Sequence, residues 1–278
     1  MSFFIKILSS CIKVVFITLF TLLVNNAFSQ AIINDGAKII AGSGVSVLIT
    51  DGNGGADGNN FINQNSGANY GKVSLNGKIY IDGNWTNNAS DSVFYDNNTG
   101  TVIFNGASPL SIAQSVGGSN ITSFYNLTVN NSSVGIVIDK NIIVKNILLM
   151  DDGDIDLKND TIDLVKTGTI TGETEANRIK AGNTGINTGI IKTTKTISNV
   201  TDYNPANLGL EITTNQNLGT ITIVRGHQRQ QGSGSFTSNY SIDRYFDVPG
   251  IGEIDGSNVN VKLKYWDAEL QGYTEANL

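Results

Sequence analysis

The sequence holds one cysteine, Cys11, one histidine, His227, and only three prolines. Cysteine-ligated and multi-histidine zinc sites, redox CxxC pairs and Cys–His dyads are thereby excluded. Charge is scarce as well: 15% of residues are Asp, Glu, Lys or Arg, with acids outnumbering bases 24 to 18. Low proline and low charge, beside 40% hydrophobic residues, exclude a disordered chain. Net acidity without a basic cluster argues against nucleic acid or an anionic membrane surface as partner. What the 278 residues do have is glycine, 31 of it, with abundant Asn, Ser and Thr. That length suits one large domain or two modest ones.

Long hydrophobic runs are also lacking, with one exception near the N-terminus. Lys6 and Lys13 precede an uncharged, mainly apolar stretch from Val14 to Val24, whose only polar residues are Thr18 and Thr21, and Ala27-Phe28-Ser29 follows. The stretch is shorter than the roughly 20 residues that cross a bilayer and fits a secretory signal. The pattern predicts a signal peptide over residues 1–29, cut between Ser29 and Gln30. No later run is long enough to span a membrane, so no span is expected after signal removal. Cleavage there removes Cys11 and two lysines, leaving a more acidic chain held by its core and backbone hydrogen bonds without disulfides.

Beyond residue 30 no segment keeps a 3.6-residue apolar period. Short apolar runs recur instead, such as Val73–Leu75, Ile79–Ile81, Val102–Phe104 and Ile136–Ile138, separated mostly by Gly, Asn or Asp. This predicts an all-β fold. From Ile136 the runs begin at 136, 142, 147, 155, 162 and 170; taken three at a time, the intervals are 19, 20 and 23 residues. Three short strands per turn of about 20 residues predict a parallel β-solenoid, β-helix-like, with stacked Val, Ile and Leu inside. A β-sandwich would show longer strands, with turn signals every 8–12 or so residues. Asn at equivalent turn positions is expected to hydrogen-bond along such a stack. Past Thr196–Pro205 the runs lengthen, and Val259-Asn-Val261-Lys-Leu263-Lys-Tyr265 alternates cleanly. That predicts antiparallel strands with one buried face. The expected organisation is a signal peptide over 1–29, a solenoid-like domain over 30–198 and an incomplete β-sandwich module over 199–278.

Three segments, Ile81-Asp82-Gly83-Asn84-Trp85-Thr86-Asn87, Gly100-Thr101-Val102-Ile103-Phe104-Asn105-Gly106 and Phe124-Tyr125-Asn126-Leu127-Thr128-Val129, resemble a pattern in large bacterial surface proteins. Those proteins leave the cell by a Sec signal and then the type IX secretion system. Val224-Arg225-Gly226-His227, Ser241–Val248 and Tyr265-Trp266-Asp267-Ala268-Glu269-Leu270 resemble the sandwich module that follows in the same proteins. The resemblance implies an adhesin-like protein, secreted or on the outer surface of a Gram-negative bacterium. It also implies a further strand and a C-terminal sorting domain, so truncation of a longer product is the expectation at Leu278.

Candidate sites are few. Asp51, Asn53 and Asp57 alternate on a Gly-rich loop as calcium ligands do, against the alternative of a plain polar turn. Calcium is the one cofactor the sequence raises. Asp152, Asp154, Asp156, Asp160 and Asp163 follow EF-hand spacing, but Leu157 stands where that loop turns on Gly, so a solvated strand face is expected. Tyr80, Trp85 and Tyr95 are candidates for carbohydrate stacking; Tyr80, between Ile79 and Ile81, should point outward. The Gly-Asn-Trp pattern suggests packing for Trp85. His227 lies in a polar stretch read as a loop, with no nucleophile elbow in the chain. The expected function is a non-catalytic secreted or cell-surface structural, adhesin-like protein contacting an extracellular glycan or surface protein. The alternatives are a carbohydrate-binding module and, third, a β-helix polysaccharide lyase or hydrolase.

Overall fold

The computed structural model describes residues 31–277, apart from 51–58, 90–92, 96, 107–112, 133, 183–187, 232–239 and 250–257. The described chain is all-β, with only short 3-10 turns beside its strands. Because apolar residues alternate in short runs between turn formers, strands of three or four residues dominate the first half.

These strands stack in parallel. One sheet runs Ile32–Asp35, Phe61–Ser66, Trp85–Asn87, Gln114–Gly117, Ile136–Ile138, Ile155–Asp156 and Ile179–Lys180. A second runs Ser46–Ile49, Lys78–Ile81, Thr101–Phe104, Thr122–Asn130 and Ile142–Asp152. Both Thr161–Asp163 and Thr169–Thr171 then pair with Ile142–Asp152. Between the two long sheets the early passes add a third, Lys38–Ala41 on Lys72–Leu75. The chain visits the sheets in turn, so each pass lies on the one before it.

Register bears out the spacing of the apolar runs. Ile136 sits beside Ile155 and Ile142 beside Ile162, the 19- and 20-residue intervals of the sequence. The third interval is one residue off, because Leu148, not Ile147, is the neighbour of Ile170. Ile147 begins the apolar run but points outward, 37% exposed, whereas Leu148 is fully buried. A contiguous core extends through every pass, from Ala41 through Ile79, Phe104, Val129, Ile155 and Ile191 to Ile223. Each fully buried aliphatic side chain contributes roughly 1.5–3 kcal/mol.

Asparagine ties the passes together from inside and out. Asn34 Nδ2 donates to Asn63 Oδ1 at 2.8 Å, and Asn63 Nδ2 donates to Gly71 O at 2.9 Å and to Asn87 Oδ1 at 3.4 Å. All three asparagines are buried. At the turns, Asn60 Oδ1 accepts from the Asn84 amide, Asn84 Oδ1 from Ser115 and Asn141 Oδ1 from Thr161. The expected stacking of turn asparagines is therefore present. Close stacking also dictates Gly135: its φ is +67°, and a Cβ there would lie 2.1 Å from Asp154 O. Asn63→Ala is expected to cost about 2–3 kcal/mol, since it strands buried donors and acceptors on two neighbouring passes. Urea unfolding of the variant measures it.

The parallel stack gives way to antiparallel pairing within one strand. Residues Thr161–Asp163 pair in parallel with Ile190, Ile191 and Lys192 of Ile190–Tyr203. The same long strand, which contains Ser198, runs antiparallel to Leu210–Gly226. Tyr245–Asp247 and Val259–Leu263 both pair with Leu210–Gly226. The expected alternation of Val259–Leu263 thus forms a strand, but its apolar side is not buried as expected. Val259 packs against the core, but Val261 and Leu263 are more than half exposed, Leu263 on the wall of an open hollow shared with Phe246 and Tyr273. Among the described residues, no helix is long and apolar enough to cross a membrane.

Candidate functional site

The three aromatic candidates do not meet on a surface. Trp85 is fully buried and corrects the expectation of a sugar platform. It stacks on Phe61 at 4.1 Å and Phe94 at 5.6 Å, leans on Phe124 at 5.5 Å, and donates its indole N–H to Thr122 Oγ1 at 3.2 Å. The rest of the Gly-Asn-Trp pattern is structural too. A Cβ on Gly83 would fall 2.5 Å from the Asn59 backbone, and Asn84 bridges to the passes on either side. Tyr80 does point outward, with Ile79 and Ile81 buried on either side of it. It lines a shallow trough on the second sheet with Asn126, Thr128, Asn146 and Leu149. Tyr95 is exposed, with the Lys38 ammonium 4.9 Å above its ring.

Asp51, Asn53 and Asp57 lie outside the described residues, as do Ser29 and Gln30. Three of the aspartates with EF-hand spacing, Asp154, Asp156 and Asp163, act as staples between passes. Asp154 Oδ1 accepts from the Arg178 amide and Asp156 Oδ1 from those of Lys158 and Gly182, while Asp163 pairs with Lys192 at 3.2 Å. Ile155 and Leu157 between them are buried. Among the described residues, no group of three or more acidic, His or Cys side chains is placed to hold a metal.

A cluster that the sequence did not reveal lies where the parallel stack meets the antiparallel unit. Arg225, fully buried on Leu210–Gly226, donates Nη1 to Glu173 Oε2 at 2.8 Å and Nη2 to Glu173 Oε1 at 2.9 Å. Glu173 belongs to the segment following Thr169–Thr171, so this bidentate pair joins the last passes to the antiparallel unit. Arg244 donates to Glu269 Oε1 at 2.8 Å and to Lys264 O at 2.9 Å. Glu175 reaches the same region, accepting from the Asp267 and Ala268 amides at 3.0 Å each. Two carboxylates two residues apart therefore grip the antiparallel unit, Glu173 through Arg225 of its long strand and Glu175 through the Asp267–Ala268 backbone.

His227 completes the cluster. It is buried, its Nε2 accepts from Arg225 Nε at 3.2 Å, and its Nδ1 lies 3.8 Å from Glu269 Oε1. The basic nitrogen is thus occupied by a guanidinium, the arrangement of a structural imidazole. His227 lies just past the strand end at Gly226, as the loop reading expects, but its side chain is buried and continues the inward row of Ile221, Ile223 and Arg225. That parity is the signal by which the sequence could have exposed the cluster.

Burial, reinforced by Arg225, Arg244 and Arg178, drives the His227 pKa well below its ordinary value. Burial pushes the Glu173 carboxyl up, but Arg225 and then Arg244 outweigh it, so that Glu173 titrates below the usual range. Both shifts make folding acid-labile. The unfolded chain takes up a proton on His227 below pH 6.5 and on Glu173 below pH 4.5, while the folded chain resists. Asp243, raised chiefly by burial, acts in the opposite sense and only near its own lower range. Stability is expected to fall by about 1.4 kcal/mol per pH unit below about pH 6.5 until folded His227 protonates. In denaturant unfolding from pH 7 to 5, His227→Gln should flatten this slope.

Beside the cluster is a cleft of about 620 Å³, bounded by Glu173, Asn204, Asn207, Arg225, Arg244 and Trp266. Comparison with family models, curated proteins and solved structures gives no match. The geometry alone carries the functional argument.

Proposed function

We propose that this chain is a non-catalytic secreted or cell-surface structural protein, adhesin-like, of the kind exported through a Sec signal and the type IX system of Gram-negative bacteria. The stacked passes are read as the turns of a β-solenoid and the strands after residue 198 as part of a sandwich module. One observation supports the reading above others: a single contiguous core runs through every parallel pass into the antiparallel unit. Inward positions serve cohesion, and the outer faces are left for contact. The buried cluster of Arg225, Glu173 and His227, a clasp between the last passes and the antiparallel unit, fits the same reading, because Arg225 is already bonded to both Glu173 and His227.

The test is deletion of the gene in its host, with attachment to surfaces and growth on polysaccharides both measured. Reduced attachment with unchanged polysaccharide use is the expected outcome. Loss of growth on a polysaccharide, with attachment unchanged, would replace this reading with an enzyme. N-terminal sequencing of the exported chain should begin at Gln30.

A further inference from the structure

We infer that the first pass of the stack is a self-association surface, where two copies of this chain meet end to end about a two-fold axis. That pass consists of Ile32–Asp35, Lys38–Ala41 and Ser46–Ile49, an end strand of each of the three parallel sheets. Among the described residues, each pairs on one side only, with Phe61–Ser66, Lys72–Leu75 and Lys78–Ile81 respectively. The core is open there as well. Ile32, Ile39 and Val47 point inward but are only partly buried, whereas their neighbours on the second pass, Phe61, Val73 and Ile79, are fully buried. On the outer side Ile33, Ile40 and Leu48 are all more than half exposed. A stack of this kind is closed by a polar terminal pass or by a further layer. None of the three strands carries the proline, bulge or inward-pointing charge that guards a free edge.

The order of side chains along the pass decides which layer fits. A two-fold axis in the plane of the pass reverses strand direction, so the strands of the two copies pair antiparallel. An axis through the Gly36–Ala37 corner and across Ser46–Ile49 lays Ile32–Asp35 of one copy on Lys38–Ala41 of the other. In that register Asp35 faces the partner's Lys38 and Ile33 faces the partner's Ile40, all pointing outward. On the inner side Ile32 faces the partner's Ala41, and Asn34 the partner's Ile39. Along Ser46–Ile49, Leu48 meets its own copy on the axis and Val47 faces the partner's Ile49. Inner positions thus meet inner ones and outer meet outer, and the one acid of these strands meets their one base. Asp35 and Lys38 are both exposed, held only by Gln64 Nε2 at 3.4 Å and by the Tyr95 ring at 4.9 Å. The far end of the second sheet is closed, since it runs on into Ile190–Tyr203 and its antiparallel neighbour Leu210–Gly226. Head-to-tail growth therefore has no matching edge on that sheet, and the two-fold contact uses up the open end, which gives a dimer. This surface does not rest on the adhesin reading.

The experiment is sedimentation equilibrium of the secreted chain, and a dimer is expected. Lys38→Asp sets two acids opposite each other at two symmetry-related places and should weaken the dimer by about tenfold. Asp35→Lys should do the same, and the two changes together, Asp35→Lys with Lys38→Asp, should restore it. A second measurement uses single cysteines in a chain carrying Cys11→Ser. Leu48→Cys should give a disulfide-linked dimer on mild oxidation, while Tyr80→Cys, its neighbour on the second pass, should stay reduced. The inference is overturned if the chain is a monomer at about 0.1 mM, or if it assembles beyond a dimer. Failure of the exchanged pair to restore association, or cross-linking of Tyr80→Cys as readily as Leu48→Cys, would overturn it too.

Discussion

Arg225→Ala lowers the stability of the chain by about 3–5 kcal/mol, the cost of removing one partner of a buried pair. The loss arises mainly on the other side. Glu173 is left buried, with only the Ile179 amide and a distant Arg244, 3.9 Å away, to hold its charge. Leu208 O and His227 Nε2 lose their donor in the same step. Replacing both partners with apolar residues of similar size, Arg225→Met with Glu173→Leu, should cost much less than either single change, because no uncompensated charge remains. A double-mutant cycle by urea unfolding separates the two cases. The tryptophans make it informative: Trp266 reports the C-terminal unit and Trp85 the interior of the stack. If the clasp is what fastens the unit, the Trp266 signal moves to lower urea before that of Trp85.

Trp85→Ala is the second large effect, again about 3–5 kcal/mol, from lost burial and the cavity left among its neighbours. Trp85 is among the largest fully buried side chains, and its ring bridges Phe61, Phe94 and Phe124. It also packs between the first sheet and the strand that supplies Thr122. Trp85→Phe retains most of the stacking but loses the hydrogen bond to Thr122, and should cost about half as much. Thermal and urea unfolding of both variants gives the ordering. A smaller loss for alanine than for phenylalanine would show that the aromatic cluster does not hold these passes together.

Much of the fold was legible because its cause is local. Turn residues fall between short apolar runs, and a stack of parallel passes repeats those runs at nearly constant intervals. Ile136 beside Ile155 and Ile142 beside Ile162 follow directly. The one-residue slip at Ile147 has a physical cause: an apolar run marks a strand, but only parity marks its inward face. Trp85 was open to both readings for the same reason, since aromatic side chains serve cores and sugar platforms alike.

The clasp was hidden for a different reason. Glu173 and Arg225 are 52 residues apart in sequence, and Glu175 and Asp267 are 92 apart. No spacing rule links such pairs in a chain with few charges. What the sequence did contain was the alternation Ile221, Ile223, Arg225, His227, which places two polar side chains on an inward row. A charge on an inward row demands a buried counter-charge, and only the fold says which one.

The central claim is that the outer faces available for contact are those of a stack of parallel passes in this register. Cysteine pairs test it most directly, in a chain carrying Cys11→Ser. Thr128 and Leu149 are lateral neighbours on adjacent strands. Neighbouring strands lie about 4.8 Å apart, within the roughly 4.4–6.8 Å that a disulfide spans. Ile103 is one further pass away from Leu149. Mild oxidation should therefore cross-link Thr128→Cys with Leu149→Cys, and leave Ile103→Cys with Leu149→Cys reduced. Equal cross-linking of the two pairs, or of the distant pair alone, would contradict the stack.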